Sequence, residues 1–384
     1  MVQSSKNTPP DSVVHKGLQG ISAGTTAISY IDGEGGKLFY RGFAIDELVN
    51  HSSFEEVVFL LFFGRLPNSS EWNSWQERLV KERNLPKQVL ETLNTFPKGM
   101  IPMAALRTAV SLLGLYDKEA EDSSPDANLR KGIRLVAQMP TVVAAIERVR
   151  RGKEPIPPLN RGALAENFLY MLRGKTADEE AIQGLNAYFV LLAEHSYNAS
   201  TFAARTTAAT LSDLYSAIVS AIGTLKGDLH GSANQRTMEM LLEIKEISKI
   251  ESYVKDKLAR KQRLMGFGHR VYKTDDPRAK YLREWAERLG EKNGSIQWFL
   301  IAEELRKVMK REKPLPVNVD FYSAPLLYYL GIPVDLFTLL FACARTPGWV
   351  AHVLEQYSDN RLIRPEAEYN GPPLNQTYTP LEKR

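Results

Sequence analysis

Apolar and polar positions alternate clearly at one place in this chain. Residues Thr26–Tyr40 (TAISYIDGEGGKLFY) make two alternating runs around a Gly-rich turn, the pattern of a β-hairpin. Beyond His51 the period lengthens. Ser53 and Glu56 stand as a capping box ahead of the apolar run VVFLLFFG, and Gly64 and Pro67 close the helix it opens. Apolar residues then recur at three- and four-residue spacing over Met103–Leu115, Leu164–Leu172 and Ile182–Ala193, with Thr176 and Glu179 read as a second box. The polar, Pro-bearing stretches Asp117–Asp126 and Arg151–Asn160 are surface connections. Val334–Leu354 is apolar enough to consider as a membrane span, but Asp335, Arg345 and Pro347 fall inside it. It is expected to be a buried core helix broken midway. No internal repeat, low-complexity tract or heptad seam interrupts a mainly α chain.

Length changes this picture by implying two domains, because 384 residues with 43% hydrophobic content exceed what one core usually sustains. A formal net charge of +4 is a slight excess without a basic arm, so nucleic acid is not implied. The single cysteine, Cys343, excludes an internal disulfide framework and fits a reducing compartment, though a cysteine-poor secreted protein fits nearly as well. The opening MVQSSKNTPPDS has neither an apolar export segment nor an Arg-rich amphipathic one and is expected to be a mobile tail. The cytoplasm is the expected location, with no spanning helix.

The densest chemistry lies in Met265–Arg278 (MGFGHRVYKTDDPR). Gly266 and Gly268 let the backbone turn tightly and approach a ligand, and they present His269 on a loop. Arg270, Lys273 and Arg278 follow, with Pro277 constraining Asp276. A neutral-range imidazole beside an arginine fork suits acid-base chemistry on an organic acid. Taken singly, such a stretch reads first as a solvated turn between helices. His230 stands on a similar turn (LKGDLHGSANQ), between Gly227 and Gly231. Both turns are expected at helix ends, where free N–H groups bind anions. His195, in AEHSYNASTFAAR, is placed inside an Ala- and Thr-rich helix with Asn198 and Ser200 as neighbours, and by itself reads as a core histidine. No spacing among the histidines makes a metal site. Asp320, in PVNVDFYSA, has an apolar and aromatic setting that raises carboxylate basicity. Equally, it is the N-cap of the next helix. Arg345 and Arg364 also lie among apolar residues, where each needs an anion to meet it.

The Gly-aromatic-Gly-His-x-Val string followed by Asp-Pro-Arg resembles the signature of the citrate synthase family. The likeness runs from GLQGISAGTTAISYIDGEGGKLFYRGF to NRLIRPEAEYNGP with the elements in the family's order. It implies a large helical domain (1–222 and 331–384) and a smaller helical one (223–330) that close over the substrates. It further implies His230, His269 and Asp320 as catalytic residues, and His195, Arg278 and Arg345 around oxaloacetate, with Arg364 reaching across a homodimer interface. By the same resemblance Ser200 orients His230, with Asn198 beside it, while Asn318 and Phe341 pack around Asp320 and the substrate. Leu264, Met265, Gly266, Phe267 and Gly268 look like the adenine-binding backbone of coenzyme A, whose thioester is a co-substrate rather than a resident cofactor. Lys273, with Lys261 and Arg263, matches the family's phosphate-binding cations, though these residues equally form a solvated face.

Some positions depart from the pattern. Asp228 replaces the usual proline and Ser232 a glycine around His230, while Ser196 and Tyr197 follow His195. The implied reaction is condensation of acetyl-CoA with oxaloacetate. The same scaffold also serves 2-methylcitrate synthases acting on propionyl-CoA, and one methylene is worth only about 1–3 kcal/mol in an apolar pocket. A non-catalytic helical scaffold or regulator is the alternative of another class.

Overall fold

The computed structural model describes residues 14–18 and 20–384, so the expected N-terminal tail lies outside the described residues. The hairpin forms as its alternation requires. Strand β1 (Ser29–Asp32) pairs antiparallel with β2 (Lys37–Tyr40), with Ser29 opposite Tyr40 and Asp32 opposite Lys37. Asp32 Oδ1 accepts the Gly35 N–H at 2.7 Å and closes the turn. A third strand, β3 (Phe43–Ala44), pairs with β2 and was not foreseen. Two residues are too few to show a period.

Sixteen α-helices account for most of the remaining described chain. The Ser53–Glu56 capping box is present at the start of Phe54–Phe63, and Gly64 ends that helix in the left-handed conformation at φ 76°. The second expected box is displaced. Asp178, not Thr176, caps Glu179–Leu192 by accepting the Ala181 N–H at 3.0 Å. A short carboxylate immediately before Glu179 and Glu180 serves the helix dipole as well as the cap.

Phe337–Ser358 is not broken midway. It continues through Pro347 over 22 residues, preceded by the short 3₁₀ turn Val334–Leu336. An interior proline costs about 3 kcal/mol. Here nearly every side chain of the helix is buried, at about 1.5–3 kcal/mol for each large apolar one, so packing outweighs the missing donor. The helix packs against Phe54–Phe63, Pro125–Arg150, Glu179–Leu192, Ala199–Ala209 and Leu214–Leu225. Pro125–Arg150, at 26 residues, escapes the periodicity reading because it is buried on almost every face and carries Pro140. A helix surrounded by core has no polar stripe to mark its period.

Residues 261–278 form an irregular loop strapped to the segment before Val319–Tyr329. Gly268 N–H donates to Pro316 O at 2.7 Å, Asp276 N–H to Val317 O at 3.0 Å, and Phe267 bridges Val317. From the other side, the Lys273 N–H reaches Gly33 O in the hairpin turn at 3.0 Å. Ala279–Lys292 packs on Val319–Tyr329 and on Glu179–Leu192, where Lys292 pairs with Asp178 at 2.5 Å and Glu180 at 2.8 Å.

All of these elements belong to one body, Thr26–Arg361. The described residues before Thr26, together with Leu362–Arg384, form a second unit whose regular structure is limited to short 3₁₀ turns at Lys16–Leu18 and Leu381–Lys383. No helix among the described residues is long and apolar enough to cross a membrane.

Candidate active site

His230 sits on the turn between Leu214–Leu225 and Ala233–Ile244, and His269 on the 261–278 loop, as their glycine frames predict. His195 departs from expectation. It lies in the connector between Glu179–Leu192 and Ala199–Ala209 rather than inside a helix. Asn198 explains why: its Oδ1 accepts the Thr201 N–H at 3.1 Å and starts the new helix there.

Each glycine-framed imidazole has one nitrogen committed to accepting from backbone N–H groups. The His230 Nε2 lies 3.3 Å from the Ser200 N–H and 2.7 Å from Ser200 Oγ, which itself accepts from Trp349 Nε1 at 3.0 Å. A backbone N–H only donates, so Nε2 is an acceptor and the ring proton sits on Nδ1. The one hydroxyl proton lies within reach of both Nε2 and Asn198 Oδ1, 2.8 Å away, and serves one at a time, so the Ser200 N–H is what fixes the tautomer. The His269 Nδ1 accepts the Val271 and Tyr272 N–H groups, both at 3.0 Å, which leaves its proton on Nε2. Burial holds both histidines down to about 4, with Arg345 adding to the effect at His230 and Arg278 at His269, where Asp276 opposes it. At neutral pH both rings are therefore neutral hydrogen-bond donors. His195 is held well below its ordinary range by burial, then by Arg278, His269 and Arg345.

Asp320 is not an N-cap. Asn318 occupies that position, accepting the Asp320 N–H at 3.0 Å while its own side chain donates to Gly268 O at 3.1 Å and its N–H to Gly266 O at 2.9 Å. One asparagine thus joins the start of the Asp320 helix to the loop carrying His269. The Asp320 carboxyl is 8% exposed and its Oδ1 is buried with no hydrogen-bond partner. Burial, helped by Asp276 and opposed by Arg278 and Arg345, pushes it up to about 7.

The arginines differ in how they are balanced. Both Asp276 oxygens hold Arg278, at 2.9 Å to Nε and 2.7 Å to a terminal nitrogen, and the other terminal nitrogen is buried without a partner. Burial lowers the Arg278 guanidinium, but Asp276 more than reverses this and raises it. Arg345 is 1% exposed, donates to Leu192 O at 2.6 Å, and stacks on Phe341 at 4.9 Å. No carboxylate among the described residues pairs with it directly, and burial, aided by Arg278 against the pull of Glu194, lowers it to about 10. Phe341 also faces the His230 ring at 6.2 Å, so it packs between His230 and Arg345.

One ligating atom each of His195, His269 and Asp276 lies within 4.8 Å of the others, a gathering that no sequence spacing announces. Asp276 is already neutralised by Arg278, and Arg345 adds a further positive charge. The electrostatics favour an anion over a metal cation there. Residues around this site that motif reading missed are Tyr272, which contacts His195 and His269, Trp349, which contacts Ser200, and Glu194. Glu194 is fully buried, accepts from His352 at 2.8 Å and from Ser29 at 2.9 Å, and leaves one oxygen unpartnered. Tyr272 stands inside the motif itself, and its aromatic ring between two charged runs was the available signal.

Residues 17–366 match the family described as citrate synthase, C-terminal domain. The chain belongs to the citrate synthase family. Family members are acyltransferases, and the likeness extends over nearly whole chains. Citrate synthase 2 of Bacillus subtilis is 48% identical over 96% of this chain and 99% of its own. The citrate/2-methylcitrate synthase of the same organism is 42% identical over 93% and 96%. Among solved structures, the ternary complex of carboxymethyl coenzyme A and oxaloacetate with the Thermoplasma acidophilum citrate synthase superposes with a TM-score of 0.93 at 31% identity, covering 97% of this chain and 100% of that one.

Two further groups are expected from the family resemblance, one on the loop that carries His269 and one in the terminal unit. Leu264 and Gly266 are buried, Met265, Phe267 and Gly268 half-buried, and both glycines have positive φ, 84° and 83°. Lys261, Arg263 and Lys273 are exposed and enter no ion pair among the described residues, which leaves their charge available to a polyanion. Arg364 is exposed in the terminal unit rather than buried among apolar residues, and no ion pair engages it among the described residues. Its neighbours in sequence, Leu362 and Pro365, are apolar, but the segment has no regular structure that would bury them.

Proposed function

We propose that this protein is a citrate synthase that condenses acetyl-CoA with oxaloacetate and hydrolyses the resulting citryl-CoA to citrate and CoA. The observation that carries this reading is that Asp320, buried with its Oδ1 unpartnered, lies in the field of both Arg278 and Arg345, the same two arginines that act on His269 and on His230, each a neutral donor of assigned tautomer. Asp320 takes a proton from the acetyl methyl group. His230 Nδ1–H donates to the thioester oxygen as negative charge develops, so an enol rather than a free carbanion forms. The enol carbon attacks the oxaloacetate ketone, and His269 Nε2–H donates to the ketone oxygen as it becomes an alkoxide. Water then cleaves the thioester.

Arg278, Arg345 and His195 hold the oxaloacetate carboxylates, which orients the ketone and offsets charge that would repel the nucleophile. The loop Leu264–Gly268 receives the adenine of coenzyme A, and Lys261, Arg263 and Lys273 its phosphates; coenzyme A is consumed and released as a co-substrate. Residues 223–330 act as a smaller domain that moves against the rest, and the Gly33–Lys273 and Asp178–Lys292 contacts join the two. Arg364 completes the site of a partner subunit in a homodimer. A single, buried Cys343 supports a cytoplasmic location.

Propionyl-CoA is the competing co-substrate, because relatives named for both activities lie close together in identity, 48% and 42%. Thiol release measured with oxaloacetate and each acyl-CoA in parallel tests both readings. Faster turnover with acetyl-CoA is expected; preference for propionyl-CoA makes this a 2-methylcitrate synthase, and no release with either ends the enzymatic reading.

A further inference from the structure

We infer that Tyr272 is a positioning residue for the ketoacid, acting through His195. Its hydroxyl lies 3.2 Å from His195 Nε2, its ring is 4.6 Å from that of His269, and its side chain is buried at 1% exposure. The His195 and His269 rings are themselves 5.4 Å apart, edge to face. One phenol therefore touches both imidazoles that flank the proposed dicarboxylate position.

The chemistry follows from a proton count. His195 is surrounded by Arg278 and Arg345 and stays neutral, so only one of its nitrogens carries hydrogen. Two arrangements are possible between Tyr272 and Nε2. If the phenol donates, the ring proton is on Nδ1 and His195 offers a donor to an anion. If Nε2 donates instead, Nδ1 presents a lone pair, which an incoming carboxylate would meet as repulsion. Burial raises the Tyr272 hydroxyl above its ordinary range, so it remains protonated and able to donate. A bound carboxylate therefore selects the first arrangement, and the phenol holds it. Ser200 and the 271–272 backbone do the same for His230 and His269, but with fixed N–H groups; at His195 the tautomer is set by one rotatable hydroxyl. The fields of Arg278, Arg345, His230 and His269 all face this ring and act against its protonation.

This rests on the proposed condensation, and the test separates the two. Wild-type thiol release with oxaloacetate and an acyl-CoA establishes the reaction first. In Tyr272→Phe, which keeps the ring packing, KM for oxaloacetate should rise about tenfold, the worth of one hydrogen bond to a charged ligand's partner, while kcat and KM for the acyl-CoA change less than twofold. The same change is then made beside His195→Asn, whose amide N–H₂ supplies a donor near the Nδ1 position without needing a tautomer. There Tyr272→Phe should cost less than twofold. An unchanged oxaloacetate KM in the single variant, or an equal cost in both backgrounds, overturns the inference. Thermal melting of each variant identifies any general loss of fold, and in that event direct oxaloacetate titration below the transition decides the comparison.

Discussion

Asp320 shows what burial does to one side chain. Its carboxyl must be ionised to accept a proton, and burial has moved that ionisation up to about 7. The histidines, held down to about 4, stay neutral over the same range. The acid limb of kcat/KM should therefore fall off near pH 7 and belong to Asp320; a pH–rate profile with its limb near 5 would assign the base elsewhere. Asp320→Asn should lower turnover by roughly 10²- to 10⁴-fold while oxaloacetate binding stays near normal, read by thiol release and by titration calorimetry. Stability should move the other way. A carboxyl whose folded value lies above its unfolded value of about 3.9 stabilises the fold fully below that value and loses this contribution as pH rises through 7. At pH 8 Asp320→Asn should therefore be more stable by about 1–3 kcal/mol, measured by denaturant unfolding. At this scale local context singles out His230, His269, Asp320, Arg278 and Arg345, and the structure puts the first three in the fields of the two arginines. What was not legible was the partner of each, since Asp276 on Arg278 and Trp349 on Ser200 are matters of approach in space.

Among elements, the 261–278 loop and the start of Val319–Tyr329 behave as one unit joined by Asn318. Gly266 is where they meet most closely. Its φ is 84°, and a Cβ there would lie 2.6 Å from Phe321 Cδ2. Gly266→Ala must therefore strain the backbone, at about 1–2 kcal/mol, and displace Phe321 as well. KM for the acyl-CoA should rise more than KM for oxaloacetate, together with a lowered melting temperature; equal effects on both substrates would disconnect this loop from coenzyme A. The hairpin and the Ser53 box were readable because their signals are local. The Asp178 cap and the continuous Phe337–Ser358 helix were misread for opposite reasons. Two capping patterns overlap by two residues in the first case, and in the second a core strong enough to carry Pro347 overrides local propensity.

For the whole molecule, the proposed homodimer gives Arg364 its role. Arg364 belongs to the terminal unit, and in the proposed homodimer it serves the partner's site. Arg364→Ala and Asp320→Asn chains should each be inactive alone. Unfolded together and reassembled at equal amounts, they should recover about a quarter of wild-type activity, because one site of each mixed dimer is intact. Absence of recovery, with dimers shown by light scattering, would return Arg364 to its own chain's site or remove it from catalysis.

By itself, the order of residues determined the helical class, the hairpin, the glycine-framed histidines and the family, because each is a matter of neighbours along the chain. Only the tertiary structure decided protonation. Whether a carboxylate is a base or an imidazole a neutral donor depends on water excluded and charges approached, and those are set by residues far away in sequence: Asn318 against Gly268, Trp349 against Ser200, Tyr272 against His195.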